Sequence, residues 1–267
     1  MSKTVLDLFS LKGRVALVAG GARDLGWDMA CALADVGAAV ALSSRDERRA
    51  LEAARKLASA RKVRALGLGF DATDERQVQA AFDQILERFG RLDVLVNNVG
   101  GGAGRGSARI EARAKSDWDW TFKTNLDALF LCTRAAMPVM IRQRSGSIIN
   151  IASVSGIVGR DRSVYKGLPG MHSSPDYQAA KAGVINFSRD LAGYLGRYGV
   201  RCNSISPGGF RRTCPIKFVK AYSRSTMLGR MGEDGVDLKG AVVLLAGDAG
   251  AYITGHNLVV DGGFSAW

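Results

Sequence analysis

What most constrains the fold is a repeated alternation. Apolar runs of strand length (RVALVAG, AAVALSS, KVRALGLGF, LDVLVNN, GSIINIAS, VRCNSIS) are separated by segments of helical period: WDMACALADVG, DERRALEAARKLASA, TDERQVQAAFDQILERFG, SDWDWTFKTNLDALFLCTRAAMPVMIRQ, and the run opening SSPDYQAAKAGV. Runs without polar alternation are buried on both faces, which requires a parallel sheet covered by helices on each side. No Pro/Ser-rich linker, internal repeat or low-complexity tract divides the chain. The expectation is one α/β domain over 1–267, a single doubly wound parallel sheet with helices on both faces.

The composition narrows the class of protein. With 267 residues, 47% hydrophobic and 23% charged, one sizeable core is affordable in length. No apolar run approaches the ~18 residues that span a bilayer, and MSKTVLDLFSLKGR has no apolar signal core. These features predict a cytoplasmic protein with no membrane partner. Cys31, Cys132, Cys202 and Cys214 are far apart and pair with no His cluster, which suggests reduced thiols and no metal site. A net charge of +12 invites a nucleic-acid reading. The cations are interleaved with acids, as in RDERRALEAARK, and no aromatic-interleaved basic patch stands out, so solvated helix faces account for most of them and no nucleic-acid partner is expected.

Two local patterns carry chemistry. From Leu11 to Gly26 an apolar run passes through Gly20, Gly21 and Gly26 into a periodic helix. Glycines there let backbone approach a pyrophosphate, and the helix N-terminus adds free N–H groups and a favourable dipole. Further on, Tyr177 and Lys181 are spaced to share a helix face. An ammonium beside a phenol favours the phenolate and lowers its pKa, making tyrosine a usable acid or base. An amphipathic helix with an exposed tyrosine displays the same pair, so context decides.

That context is a resemblance. AGGARDLG (19–26), DATD (71–74), NNVG (97–100), Asn125 in KTNLDALF, Ser153 in IINIAS, Tyr177 to Lys181, SPGG (206–209) and ITGHNLVVDGG (253–263) together resemble the short-chain dehydrogenase/reductase family, in its order, over residues 11–267. The resemblance implies a Rossmann fold and an NAD(P)-dependent oxidoreductase acting on CH–OH groups. It implies that Tyr177 exchanges a proton with the carbonyl or alcohol oxygen and that Ser153 hydrogen-bonds that oxygen. Lys181 lowers the tyrosine pKa and binds the nicotinamide ribose, and Asn125 holds a water of the proton relay. For the cofactor it implies contacts from Gly20, Arg23, Leu25, Gly26, Ser44, Arg45, Asp71, Asn98, Gly100, Tyr177, Lys181, Pro207 and Gly208, with Asn97 in a structural role and with family members commonly homotetrameric. Tyr165, twelve residues after Ser153, is a rival acid by spacing, but the position of its lysine is held by Pro169. Choosing Tyr177 makes 157–174 an insertion beside the substrate mouth, where loops carry specificity.

Three departures stand out: Ala19, Val99 and Asp24 replace the threonine, alanine and glycine that the family pattern has. Asp24 would be unfavourable near a pyrophosphate, so it is read as pointing away and capping the helix beginning at Leu25. At the end of the second strand, Ser44 takes the place of the acid that would bind the ribose of NAD, and Arg45 follows; with Arg23, two guanidiniums suit the 2′-phosphate of NADP, the preferred cofactor. Asp46 then reads as the N-cap of ERRALEAARK. The segment 209–232 corresponds to the family's substrate lid. Its cations Arg211, Arg212, Lys217, Lys220 and Arg224, with Arg160, Arg162 and Lys166 of the insertion, suggest a polar or anionic small-molecule substrate such as a sugar acid or polyol. A 3-oxoacyl-thioester reductase, or a catalytically weak NADP-binding regulatory protein, remains the alternative.

Overall fold

The computed structural model describes residues 3–101 and 105–267. Seven strands form one sheet: β1 (Val15–Ala19), β2 (Ala39–Ser44), β3 (Ala65–Gly69), β4 (Val94–Asn97), β5 (Gly146–Ile151), β6 (Val200–Pro207) and β7 (Asn257–Val260), in the order β3-β2-β1-β4-β5-β6-β7. Every pairing is parallel. All of β1 is buried, as its unbroken VALVA run requires. The chain runs outward from β1 through β2 to β3, then returns to β4 on β1's other side. That reversal opens a crevice beyond the carboxyl ends of β1 and β4.

Helices α1 (Val5–Phe9), α2 (Asp24–Asp35), α3 (Glu47–Arg61), α4 (Glu75–Phe89), α5 (Lys115–Phe122), α6 (Ala128–Gln143), α7 (Pro175–Leu195), α8 (Ile216–Arg224) and α9 (Lys239–Ala246) complete the fold. One apolar cluster joins the sheet to α2, α3 and α9, and a second joins it to α4, α6 and α7. The doubly wound sheet read from the sequence is thus the observed architecture. Four elements were not anticipated. Strand β7 lies inside ITGHNLVVDGG, α1 begins at a Thr4–Asp7 capping box, a signal present in the sequence, α8 lies within the segment 209–232, and α9 follows that segment.

The long helix expected from 116 to 143 is interrupted. Between α5 and α6 the chain makes a π-helical turn, Lys123–Asp127. A π turn inserts one residue into the hydrogen-bond ladder and re-aims side chains, often at functional sites. It carries Asn125 at its centre.

A buried polar chain ties the middle of the sheet to two helices. Asn97 Nδ2 donates to Asn150 Oδ1 at 2.8 Å and to Thr133 Oγ1 at 3.0 Å, and Asn150 Nδ2 donates to Ser188 Oγ at 2.9 Å. Asn97 is thereby a structural residue linking β4, β5, α6 and α7. Among the described residues no helix is long and apolar enough to cross a membrane, and the four cysteines are free thiols.

Candidate active site

The turn after β1 is held from both sides. Gly20 has φ +77, donates its N–H to Ser43 Oγ at 3.0 Å, and accepts from Asn98 Nδ2 at 2.9 Å through its carbonyl. A Cβ on Gly26 would lie 2.1 Å from that carbonyl oxygen, so the first turn of α2 can press onto the loop only with glycine there. Ser43 and Asn98, from the ends of β2 and β4, therefore fix the loop that the sequence assigns to phosphate.

Asp24 does not cap α2. The helix includes it, the preceding residue is Arg23, and no side chain accepts a cap hydrogen bond. The Asp24 carboxylate accepts from none of the free amides of the first turn. It holds left-handed backbone, φ +52, and its carboxylate lies 3.5 Å from Arg212 Nη1 and 3.7 Å from Arg23 Nε.

A cleft of about 610 Å³ extends from this turn across the crevice. Every residue expected at the cofactor lines it except Gly26, which packs behind the turn. At one end stand Ser44, Arg45 and Arg49. Arg49 was not anticipated; it sits in the first turn of α3, which Asp46 caps as expected by accepting from the Arg49 N–H at 3.1 Å. Asp71 lines the same region and accepts from Thr73 N–H and Oγ1, both at 2.9 Å. A glycine turn, a helix N-terminus and a cluster of arginines in one cleft fit a phosphate-bearing dinucleotide.

At the other end, Ser153, Tyr177 and Lys181 line the cleft together. Ser153 follows β5, where its Oγ accepts from Ser155 N–H at 3.1 Å. Tyr177 lies in the first turn of α7, whose entry is set by Pro175 at the helix start. One turn on, Lys181 Nζ donates to the Ile151 carbonyl at 2.8 Å and lies 5.7 Å from the centroid of the Tyr177 ring. Burial pushes the Lys181 ammonium down to about 8. Burial also pushes the Tyr177 phenol above its ordinary value, outweighing hydrogen bonding to Ser153 and the positive charge of Arg160. The lowering expected from Lys181 is thus not met by the chain's own groups: desolvation dominates the phenol, and the cations that oppose it are arginines.

Asn125 is fully buried and committed to backbone. Its Nδ2 donates to Gly101 O at 2.7 Å and to Thr121 O at 2.8 Å, and its Oδ1 accepts from Gly101 N–H at 3.3 Å. It therefore pins the loop after β4 to the π turn.

Two further groups escaped the sequence. Asp176, next to Tyr177, pairs with Arg113 from across the loop region, both side chains almost wholly buried. Burial alone would raise the Asp176 carboxyl, but the neighbouring Ser174 and Thr121 hydroxyls and the Arg113 guanidinium hold it below the usual range. The insertion 157–174 also has a defined place. A 3-10 turn, Arg162–Tyr165, brings Tyr165 onto Phe218 of α8, rings 5.6 Å apart and stacked. Val164, Phe218, Tyr222 and Met231 form one small apolar cluster, so the rival tyrosine is packing material.

A family model described as enoyl-(acyl carrier protein) reductase matches residues 20–265. The chain is 33% identical over 252 residues to 3-oxoacyl-(acyl-carrier-protein) reductase FabG of Staphylococcus aureus (strain Mu50), covering 93% of this chain and 96% of that protein. A short-chain type dehydrogenase/reductase from Mycobacterium marinum superposes with a TM-score of 0.86 at 30% identity, covering 99% of this chain and 100% of the other. A gluconate 5-dehydrogenase from Burkholderia cenocepacia J2315, in complex with NADP and tartrate, superposes with a TM-score of 0.89 at 31% identity and the same coverage, 99% and 100%. With the parallel sheet, the glycine turn and the Ser153, Tyr177 and Lys181 group already assembled, this chain belongs to the short-chain dehydrogenase/reductase family, oxidoreductases that act on CH–OH groups.

Proposed function

We propose that the protein is an NADP-dependent oxidoreductase that interconverts a ketone and a secondary alcohol on a polar, anionic small molecule of sugar-acid or polyol type. The observation that carries the reading is the convergence of Tyr177, Ser153 and Lys181 at one end of a cleft whose other end is lined by Arg45 and Arg49. When bound, the nicotinamide supplies or accepts the hydride. The chain's residues do the rest. Burial keeps the Tyr177 phenol protonated at neutral pH, the form that gives a proton to a carbonyl oxygen being reduced. The Ser153 hydroxyl donates to the same oxygen and stabilises its developing charge. Lys181, anchored on the Ile151 carbonyl, presents its ammonium toward Tyr177 and the cofactor ribose. Asn125, bonded to Gly101, shapes the turn through which a water would reach Lys181.

Preference for NADP rests on Ser44 in the acid's place and on three arginines, Arg23, Arg45 and Arg49, lining the cleft with it. The NADP and tartrate in the gluconate 5-dehydrogenase complex support the same cofactor and a hydroxy-acid substrate. The test is a panel of ketones and alcohols with NADPH, NADH and their oxidised forms, read by nicotinamide absorbance. Sugar-acid ketones turned over with NADPH support the proposal; no turnover of any ketone with either cofactor overturns it.

The likeness to the FabG protein favours a second reading, reduction of a 3-oxoacyl thioester. Acetoacetyl thioesters in the same panel separate the two. A homotetramer in solution is part of the proposal, and light scattering checks it.

A further inference from the structure

The sequence puts eight lysines and arginines in the two segments that border the substrate side, 160–166 and 211–224. All but one are exposed, as solvated loop charges are; Arg160 alone is drawn into the protein. Its guanidinium carbon lies 5.9 Å from the ring centroid of Tyr165, 5.6 Å from that of Tyr222 and 5.5 Å from that of Phe264. Its Nε and Nη1 are buried, and neither has a hydrogen-bond partner among the described residues.

These facts are chemically incomplete. Aromatic faces attract a cation, each by about 0.5–2 kcal/mol, yet offer its N–H groups no acceptor. Buried donors left idle cost about 1–3 kcal/mol apiece. A guanidinium held by rings with one idle donor on each edge is a receptor for a group with two coplanar oxygens: a carboxylate binds bidentately by taking Nη2 together with either Nε or Nη1.

The position of Arg160 agrees with that role. Tyr222 accepts from the Gly209 N–H through its hydroxyl at 2.6 Å, immediately after Pro207 and Gly208 of the cleft wall. The charge of Arg160 also acts on the Tyr177 hydroxyl, pulling that phenol down against burial. In the same insertion, His172 Nδ1 and Ser173 Oγ are buried without partners among the described residues.

We propose that Arg160 is the specificity-determining residue of the substrate mouth, and that it takes the carboxylate of an oxo acid or hydroxy acid whose reacting oxygen meets Tyr177 and Ser153. The proposal rests on the oxidoreductase reading above and narrows it to one residue and one functional group. Because Arg160 comes from the insertion, the preference is a property this chain adds to its scaffold.

The test compares isosteric probes that differ only in charge: D-gluconate against D-gluconamide, and 4-oxopentanoate against 4-oxopentanamide. Binding to the NADPH complex is measured by calorimetry, and reduction of the oxo pair by absorbance. The wild-type enzyme is expected to favour the carboxylate member by 10-fold or more. In Arg160→Met the ratio falls to about one, through binding and KM more than through kcat. Arg160→Lys, which keeps the charge and loses the fork, keeps a ratio of about 2–3; it also carries the test if Arg160→Met does not fold, where a ratio equal to wild type overturns the proposal. A wild-type enzyme that favours the carboxylate in neither pair, or a preference that survives Arg160→Met, overturns it as well. Failure of the broader reading looks different: neutral ketones in the panel would then not be reduced either.

Discussion

Asp24, in the dinucleotide turn, and Arg212, in the segment after β6, face each other across the mouth of the cleft with 3.5 Å between Oδ2 and Nη1. Both hold left-handed backbone, at φ 52 and φ 27, which non-glycine residues adopt at a cost. The pair is well exposed and contributes at most about 1 kcal/mol by itself. Its importance is positional, since it sets a carboxylate at the glycine turn beside Arg212, whose Nε also lies 3.6 Å from Asp234 Oδ1. Asp24→Gly is expected to tighten NADPH binding several-fold by fluorescence titration. Relief of the backbone and loss of a favourable charge at the helix N-terminus should offset each other in stability to within about 1 kcal/mol.

Removing the phenol separates chemistry from binding. Tyr177→Phe keeps the ring that lies beside Lys181 and deletes only the hydroxyl. Steady-state turnover is expected to fall by about 10²–10⁴-fold, the usual contribution of a positioned acid or base, with the NADPH dissociation constant within about 2-fold of wild type by titration.

Lys181 makes stability depend on pH. Its ammonium is pushed down to about 8 from an ordinary 10.5, so between those values the unfolded chain binds more protons than the folded one. Stability therefore rises with pH through that window, and the cost of burying the charge is felt in full below about pH 8. Wild type should gain on the order of 2 kcal/mol between pH 7 and pH 9.5 from this group, a gain that Lys181→Met lacks. Urea denaturation at the two pH values checks the difference.

The arginines beside Ser44 should sort the two nicotinamides. Replacing both Arg45 and Arg49 by alanine removes charge-assisted hydrogen bonds to a 2′-phosphate, each about 1.5–3 kcal/mol. KM for NADPH is expected to rise about 100-fold or more in initial-rate measurements, while KM for NADH, which has no such phosphate, stays within about 3-fold.

The sheet was legible because β1, β4 and β5 are nearly unbroken apolar runs, a pattern that only two-sided burial explains. The grouping of Ser153, Tyr177 and Lys181 was legible because these residues sit at or near the ends of β5 and α7, so that short motifs in the linear order mark them. What escaped depends on contacts between distant segments. Arg113 finds Asp176 across 63 positions, and neither residue's neighbours announce the other. Arg49 reaches the cleft only because α3 starts where Asp46 caps it. Asp24 was read as a cap because carboxylates favour that place; its left-handed backbone comes from the turn before it, which propensity does not describe. The π turn at Asn125 likewise has no signature in the LDALF run that follows it, which is helical by any local measure.

The stacking of Tyr165 on Phe218 couples two stretches of chain that are far apart in the sequence. Grafting the 157–174 loop alone onto a related scaffold would leave Tyr165 and Val164 without the surface they were shaped to meet, and replacing α8 alone would strand Phe218 and Tyr222. The two must be exchanged as a single cassette, a problem in compatible halves, with Arg160 travelling in one and Tyr222, part of its aromatic cage, in the other.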